Sequence, residues 1–430
     1  AAAVAAIAFA YTPHVFSHLP HIQLLMTAGL PLSLLAFHRL ADRPSAARGA
    51  ALGAAMAMQA FFCAYYSVFA MLMVGYAVLF TAAWRRLWRN AAYWRAIGVA
   101  AVAALAATVP LIAVYVVLQR ATGFTRSVEA AGSYSADWRA YFASSAYAHA
   151  WMLGFLKNWR EVLFPGFVAL GFGLAGAATG WRAGGRPREL AAFYASLGSL
   201  AFWESFGPDL GLYRVTYAIV PIFSFMRAPS RFGLIVALAL AVLTALAISR
   251  MLTRVSRPAL AGSILALLTA AELFVPLQFM PAPAENPAYL RLASLPRGPV
   301  VEMPMYSERF AFARTRYMLS STVHWMPLVD AYSDYIPDDF RARLDVLGEF
   351  PTREAFKLLE RDGVLTPKLL GLGLYFSGLV DGTLGACVTL LQNLHGRVEP
   401  PPLEADPKQE EQTDLYEEAV IRLQHSGCGL

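Results

Sequence analysis

The residues best placed to do chemistry are Arg227 and Arg231, within Phe223–Arg250, which reads FSFMRAPSRFGLIVALALAVLTALAISR. An apolar run of about twenty residues follows them, long enough to cross a bilayer, so both guanidinium groups stand where water meets hydrocarbon. An arginine there either snorkels to headgroups or holds an anion inside the protein. Pro229 suits the first turn of the coming helix, where its missing N–H leaves no partner unpaired. The free N–H groups of that turn, with the two arginines beside them, read as a phosphate cradle. The competing reading is interfacial anchoring, because arginine is common at span ends.

Such groups need a framework to position them. Hydrophobic residues make up 57% of the 430-residue chain and charged residues 15%, with a mean hydropathy of +0.47. That bias excludes an ordinary soluble domain and predicts several membrane spans with one modest aqueous domain. Apolar runs lie near 1–12 (partial), 22–40, 47–62, 66–84, 96–118, 164–181, 189–205, 230–249 and 258–277. They predict a mainly α fold, a polytopic helical bundle of about eight complete spans plus one partial, over residues 1–280. The chain begins at Ala1 inside an apolar run, without a charged flank, and reads as a fragment of a longer protein.

The net charge of +6 is concentrated in short connectors. Arg39, Arg43 and Arg48, then Arg85, Arg86, Arg89 and Arg95, then Arg182, Arg186 and Arg188, then Arg250, Arg254 and Arg257 occupy alternate connectors. This excess therefore reports orientation rather than nucleic-acid binding, and it predicts that those four connectors are cytoplasmic. The segments 13–21, 63–65, 119–163, 206–229 and everything after Leu277 then lie on the other side. Cys63, Cys387 and Cys428 show no C-x-x-C spacing and no obvious pairing.

On that second side, Pro13–His21 carries His14, His18 and His21. Spacings of four and three would set imidazoles on one helical face for a metal, but Pro20 interrupts such a helix. No metal site is assigned on sequence, and a divalent cofactor stays open. Contacts to a headgroup or sugar are the alternative use of these rings, and interfacial polarity the blandest. Tyr65 and Tyr66, in a tight turn between two spans, either line a cavity or belong to the aromatic belt. Arg126 and Glu129 either form a solvated ion pair or face a substrate. The stretch 137–153 is predicted to be an amphipathic surface helix.

From Pro281 the composition becomes mixed. Residues 299–303 and 317–324 read as strands, and 338–347 and 352–360 as helices, predicting a small α/β extracytoplasmic domain over 281–363. His324, Asp330, Tyr332 and Ser333, in HWMPLVDAYSDY, form a polar and aromatic patch fit for a sugar acceptor; local turn hydrogen bonds are the alternative. Residues 364–430 read as a divergent or flexible tail.

Taken together, HLPHIQLL at His18–Leu25, the Tyr65-Tyr66 break, the pieces at Arg126–Glu129 and Tyr134–Ala136, FMRAPSRFG at Phe225–Gly233, VVEMPM at Val300–Met305 and the run Ser321–Pro337 carry a resemblance. Over about residues 1–363 the chain resembles the C-terminal two-thirds of bacterial polytopic membrane glycosyltransferases of the GT-C type. The resemblance implies a multi-pass protein of the bacterial inner membrane. It implies sugar transfer from a polyprenyl-phosphate donor to a glycan, lipid or protein acceptor of the cell envelope, at the outer face. Arg227 and Arg231 would then meet the donor phosphate, while the catalytic acid is expected in a first outer loop that precedes this chain. A non-catalytic assembly protein on the same scaffold, and a transporter or flippase of lipid-linked glycans, are the alternative functions. Intramembrane acids would mark the latter, and Glu272 is the sole acid well within a run.

Overall fold

A computed structural model describes residues 1–362, apart from 124, 278, 280–286, 304, 333–335 and 351. The tail 364–430 and Ser333 lie outside the described residues. The protein is mainly helical, and the described residues fall into two compact units that divide after Leu277.

In the first unit the apolar runs become helices: Ala2–Ala10, Gly29–Asp42, Ala46–Phe62, Ala64–Trp84, Ala91–Thr122, Phe167–Ala183, Gly185–Ser205, Gly233–Leu252 and Pro258–Glu272. Side-chain caps fix two of the starts. Ser45 accepts from the Arg48 amide and Asn90 from the Tyr93 amide, each satisfying an N–H that the helix leaves unpaired. Among the described residues four helical segments are long and apolar enough to cross a membrane: Ile22–Asp42, Ala64–Trp84, Ala91–Thr122 and Pro229–Leu252. The first is interrupted before Gly29, where the Gln59 amide donates to the Met26 carbonyl at 3.1 Å.

The helix Gly233–Leu252 is the centre of the unit and the most deeply buried of the four. It packs against Ala2–Ala10, Phe167–Ala183, Gly185–Ser205 and Pro258–Glu272. Small residues make these approaches close. A Cβ added at Gly173 would lie 2.8 Å from Leu240, and one at Gly176 would meet the Leu243 backbone. The pair Gly49 and Gly53 does the same for Ala46–Phe62 against Ala91–Thr122; a Cβ at Gly53 would lie 2.6 Å from the Ala100 carbonyl. Close backbone approach through small residues is how helices associate where no water drives them together. The opposite face of Ala91–Thr122 exposes Val102, Leu105, Val109 and Ile112, and further along the helix Val114 and Val117 are exposed as well. A continuous apolar strip of that kind is what lipid tails cover.

The two ends of this unit differ. At one end Arg85 bridges Asp42 at 2.9 Å and Glu189 at 2.8 Å, and Arg186 contacts Glu189 at 2.6 Å and Asp42 at 3.2 Å. Two of the connector arginines are thus internally neutralised. The other end carries the Pro13–His21 turn, the break at Cys63, the long loop after Thr122 and the Arg227–Arg231 turn.

Three expected elements are corrected, the third being the strand over 299–303. The stretch 137–153 is a series of short turns, Ala140–Phe142, Tyr147–His149 and Ala150–Leu153, instead of one amphipathic helix. Its backbone is paired across the loop: the carbonyls of Ala140 and Ala143 accept from Leu163 and Phe164 at 2.8 and 3.0 Å, and the Tyr147 amide donates to Phe274 at 2.9 Å. In the second unit, 317–324 belongs to a helix, Thr315–His324, rather than a strand. Its buried positions Tyr317, Ser320 and His324 recur at helical spacing. Among the described residues there is no strand, and Val300 meets Leu328 in an isolated parallel bridge. The helices Asp338–Gly348 and Arg353–Arg361, the second capped by Thr352, enclose a core of Met305, Leu344, Leu347, Ala355 and Leu359.

Replacing Gly53 by Leu should overpack the contact with Ala100 and Ala103, destabilising the protein by about 1–3 kcal/mol. The check is a lowered midpoint of thermal unfolding in detergent, with the equally helical Gly98→Leu, which meets nothing within 4 Å, as the comparison.

Candidate functional site

The candidate site forms at the end of the first unit where four segments converge. The chain leaves Ala2–Ala10 at Tyr11 and makes one helical turn, Pro13–Phe16, followed by a chain of tight turns in which His18 donates to Val15 and His21 to His18. Pro20 stands at the end of this short run, as its lack of an N–H requires. The turn keeps His14 and His18 on one face, their ring centroids 4.4 Å apart, with His21 6.4 Å beyond His18.

His18 is oriented by its own turn. Its Nδ1 lies 2.8 Å from the His14 carbonyl and 3.0 Å from the Ser17 hydroxyl, which itself donates to the same carbonyl. A carbonyl only accepts, so Nδ1 carries the proton and Nε2 keeps a free lone pair. His14 is 2% exposed, and neither ring nitrogen makes a well-formed hydrogen bond, the Val162 backbone being a weak contact only. Burial, then the neighbouring His18 and Arg231, hold its pKa well below the ordinary imidazole value. Burial lowers His18 to about 4. Both rings are therefore neutral at pH 7.

The fourth side of this cluster is Glu161, at the end of the long loop. The pairing of Leu163 and Phe164 with Ala140 and Ala143 fixes its backbone. One ligand atom from each of His14, His18 and Glu161 lies within 4.8 Å of the others. Burial pushes the Glu161 carboxyl up to about 7, against a hydrogen bond from Ser230 and the charge of Arg231. Nothing in NWREVLFP marked Glu161 as special; its partners lie far back along the chain, and only the fold brings them together.

Arg231 governs the electrostatics. Its guanidinium stacks over Tyr65 at 4.5 Å, and its Nε is buried without a hydrogen-bond partner. Pro229 stands at the first position of a 3-10 turn, Pro229–Phe232, that leads into Gly233–Leu252, where the sequence places it. Tyr65 holds that turn from the opposite segment: its hydroxyl donates to the Ala228 carbonyl at 2.8 Å and accepts from the Ala228 amide at 3.2 Å. Tyr66 is buried against Phe69 in the helical core. Arg227 lies over Tyr134 at 4.7 Å.

The remaining expected residues lie elsewhere. Arg126 ties the long loop down through its backbone, donating to Ser224 at 2.8 Å and accepting from the Tyr217 hydroxyl at 2.7 Å. Glu129 is exposed and lies 3.6 Å from Arg214, not within the cluster. In the second unit Asp330 is fully buried, receiving the Glu302 amide at 3.2 Å, and Glu302 accepts from the Tyr289 hydroxyl at 2.6 Å. His324 is buried too, with Nδ1 accepting from Met326, and its ring stacks on Tyr289. Tyr332 is half-buried beside Phe312. Asp330 and His324 are thus interior groups of this unit, where a sugar acceptor would need exposed ones. Glu272 caps Phe167–Ala183: its carboxylate accepts from the Phe167 and Val168 amides and lies 3.2 Å from His149. That makes it a structural acid.

Comparisons with protein-family models, with curated protein sequences and with solved structures find no match to this chain.

Tyr65→Phe should remove both hydrogen bonds to Ala228 and destabilise this end by about 1 kcal/mol. Amide exchange at Ala228 should quicken while that in the middle of Gly233–Leu252 stays slow; an unchanged Ala228 rate would refute the pin. A second expectation concerns Asp330, whose pKa burial raises from 3.8 to about 7. The folded state then holds the proton more tightly than the unfolded state. Its contribution is fully present below the ordinary value and declines as the pH rises to about 7. Asp330→Asn should flatten this decline, read as hydrogen-exchange protection of residues 300–330 after correction for intrinsic rates.

Proposed function

We propose that this chain is the membrane-embedded part of a GT-C-type glycosyltransferase. It would move a sugar from a polyprenyl-phosphate donor to a cell-envelope acceptor at the outer face of the bacterial inner membrane. The arginine-rich connectors are cytoplasmic in this reading, and the cluster around Arg231 and the second unit lie outside.

The observation that carries the proposal is Arg231. A half-buried guanidinium with an unpartnered Nε stands beside two neutral imidazoles, at the end of an apolar bundle. A lipid phosphate is an amphiphile: its tail needs an apolar flank and its head a cation at the same depth. Apolar helices and a cation at their end answer both needs. The leaving group of such a transfer is itself a phosphate anion, so a fixed cation is worth most as the glycosyl bond breaks. Arg227, over Tyr134, adds a second guanidinium on the same turn. The acceptor's position is left to the second unit as a whole, since Asp330 and His324 are interior.

Arginine offers a planar, two-pronged contact that lysine cannot reproduce. In membranes supplied with a polyprenyl-phosphate-linked radiolabelled sugar, Arg231→Lys should slow transfer by roughly thirty- to a thousandfold at matched protein level. Arg227→Lys should fall in the same direction. Transfer at the unsubstituted rate in both would leave the pair as interfacial anchors and end the proposal.

A further inference from the structure

We propose that His14, His18 and Glu161 form a binding site for a divalent cation of the zinc class. The inference stands on the geometry of the cluster and does not depend on sugar transfer.

Two neutral imidazoles and one carboxylate are the donor set that borderline cations such as zinc favour, and hard cations such as magnesium and calcium do not. The protonation states suit the task. The His14 carbonyl holds the proton of His18 on Nδ1, which presents Nε2 as a ligand. A backbone acceptor on the far nitrogen is the usual support for a metal-bound histidine. His14 supplies an independent indication. It is 2% exposed, and apart from a backbone contact with Val162 its ring nitrogens lack partners, so at least one is left without the partner that a buried ring nitrogen ordinarily finds. The ligand atoms lie within 4.8 Å of one another. Tetrahedral ligands sit about 3.4 Å apart around zinc, so modest side-chain adjustment closes the set.

Arg231 opposes a cation here, as its effect on both histidines shows. Glu161, ionised on binding the metal, would offset one positive charge. Three protein ligands leave a fourth position, and an anion in that position would face both the metal and Arg231. This is the arrangement of a reactive or ligand-binding metal rather than a closed structural one. His21 is on the same turn but does not belong to the three-residue set.

The test uses the purified chain in detergent, stripped with a chelator, and zinc or cobalt chloride as the probe. One equivalent of zinc should bind in competition with a chromophoric chelator and raise the midpoint of thermal unfolding. Cobalt should give the visible bands of a low-coordinate nitrogen and oxygen site. His18→Gln and Glu161→Gln should each weaken zinc binding by about a hundredfold or more and abolish the cobalt bands, while Glu129→Gln should leave both unchanged. His14→Gln tests the same point, and because it alters a buried ring, Glu161→Gln is the decisive variant if His14→Gln does not fold. Failure of the unsubstituted chain to bind zinc would overturn the site. Binding that survives both His18→Gln and Glu161→Gln would also overturn it. Loss of metal binding with sugar transfer intact would uphold the site and separate it from the proposed reaction.

Discussion

The hydroxyl of Tyr65 is the contact on which the site end of the molecule depends. By donating to and accepting from the backbone of one residue, Ala228, it ties the break at Cys63 to the turn that carries Arg227 and Arg231. The same ring lies under the Arg231 guanidinium. One side chain therefore sets both the path of the turn and the place of its charge. The histidine turn and Glu161 take their electrostatic surroundings from that charge, since its field reaches His14, His18 and Glu161 alike.

Much of the helical framework was legible because its signals are local. Apolar runs, Pro229 at the start of a helix and the alternation of arginine connectors each need only neighbouring residues. The helices at Asp338 and Arg353 were legible for the same reason. What failed needed distant partners. The stretch 137–153 has helix-like spacing, yet its carbonyls are paired with Leu163 and Phe164. Residues 317–324 contain Thr322 and Val323, whose branching favours strands, but a buried face of Tyr317, Ser320 and His324 decides for helix.

The site shows the same division. The arginines at the mouth of a span and the histidines on one turn can be read from spacing alone. Glu161 cannot, since it is a lone acid in a loop whose course depends on contacts with Ala140 and Ala143. Asp330 and His324 were misplaced for the converse reason. Polar residues near aromatics look like a surface recognition patch, and the structure gives Asp330 the Glu302 amide and His324 the Tyr289 ring as interior partners, with Tyr289 and Glu302 themselves joined. Composition does not separate a satisfied polar core from an exposed one.

The charge network at the other end bears on the order of assembly. Arg85 follows the helix Ala64–Trp84, but its partner Glu189 comes 104 residues later. While the chain is being made, Asp42 is already present to offset Arg85, but the second acid is not, so Arg85 waits for Glu189. Once Gly185–Ser205 arrives, Asp42, Arg85, Arg186 and Glu189 join with two charges of each sign. The network closes only when the last of these helices is in place, and it then acts as a latch that holds the ends of three helices in register.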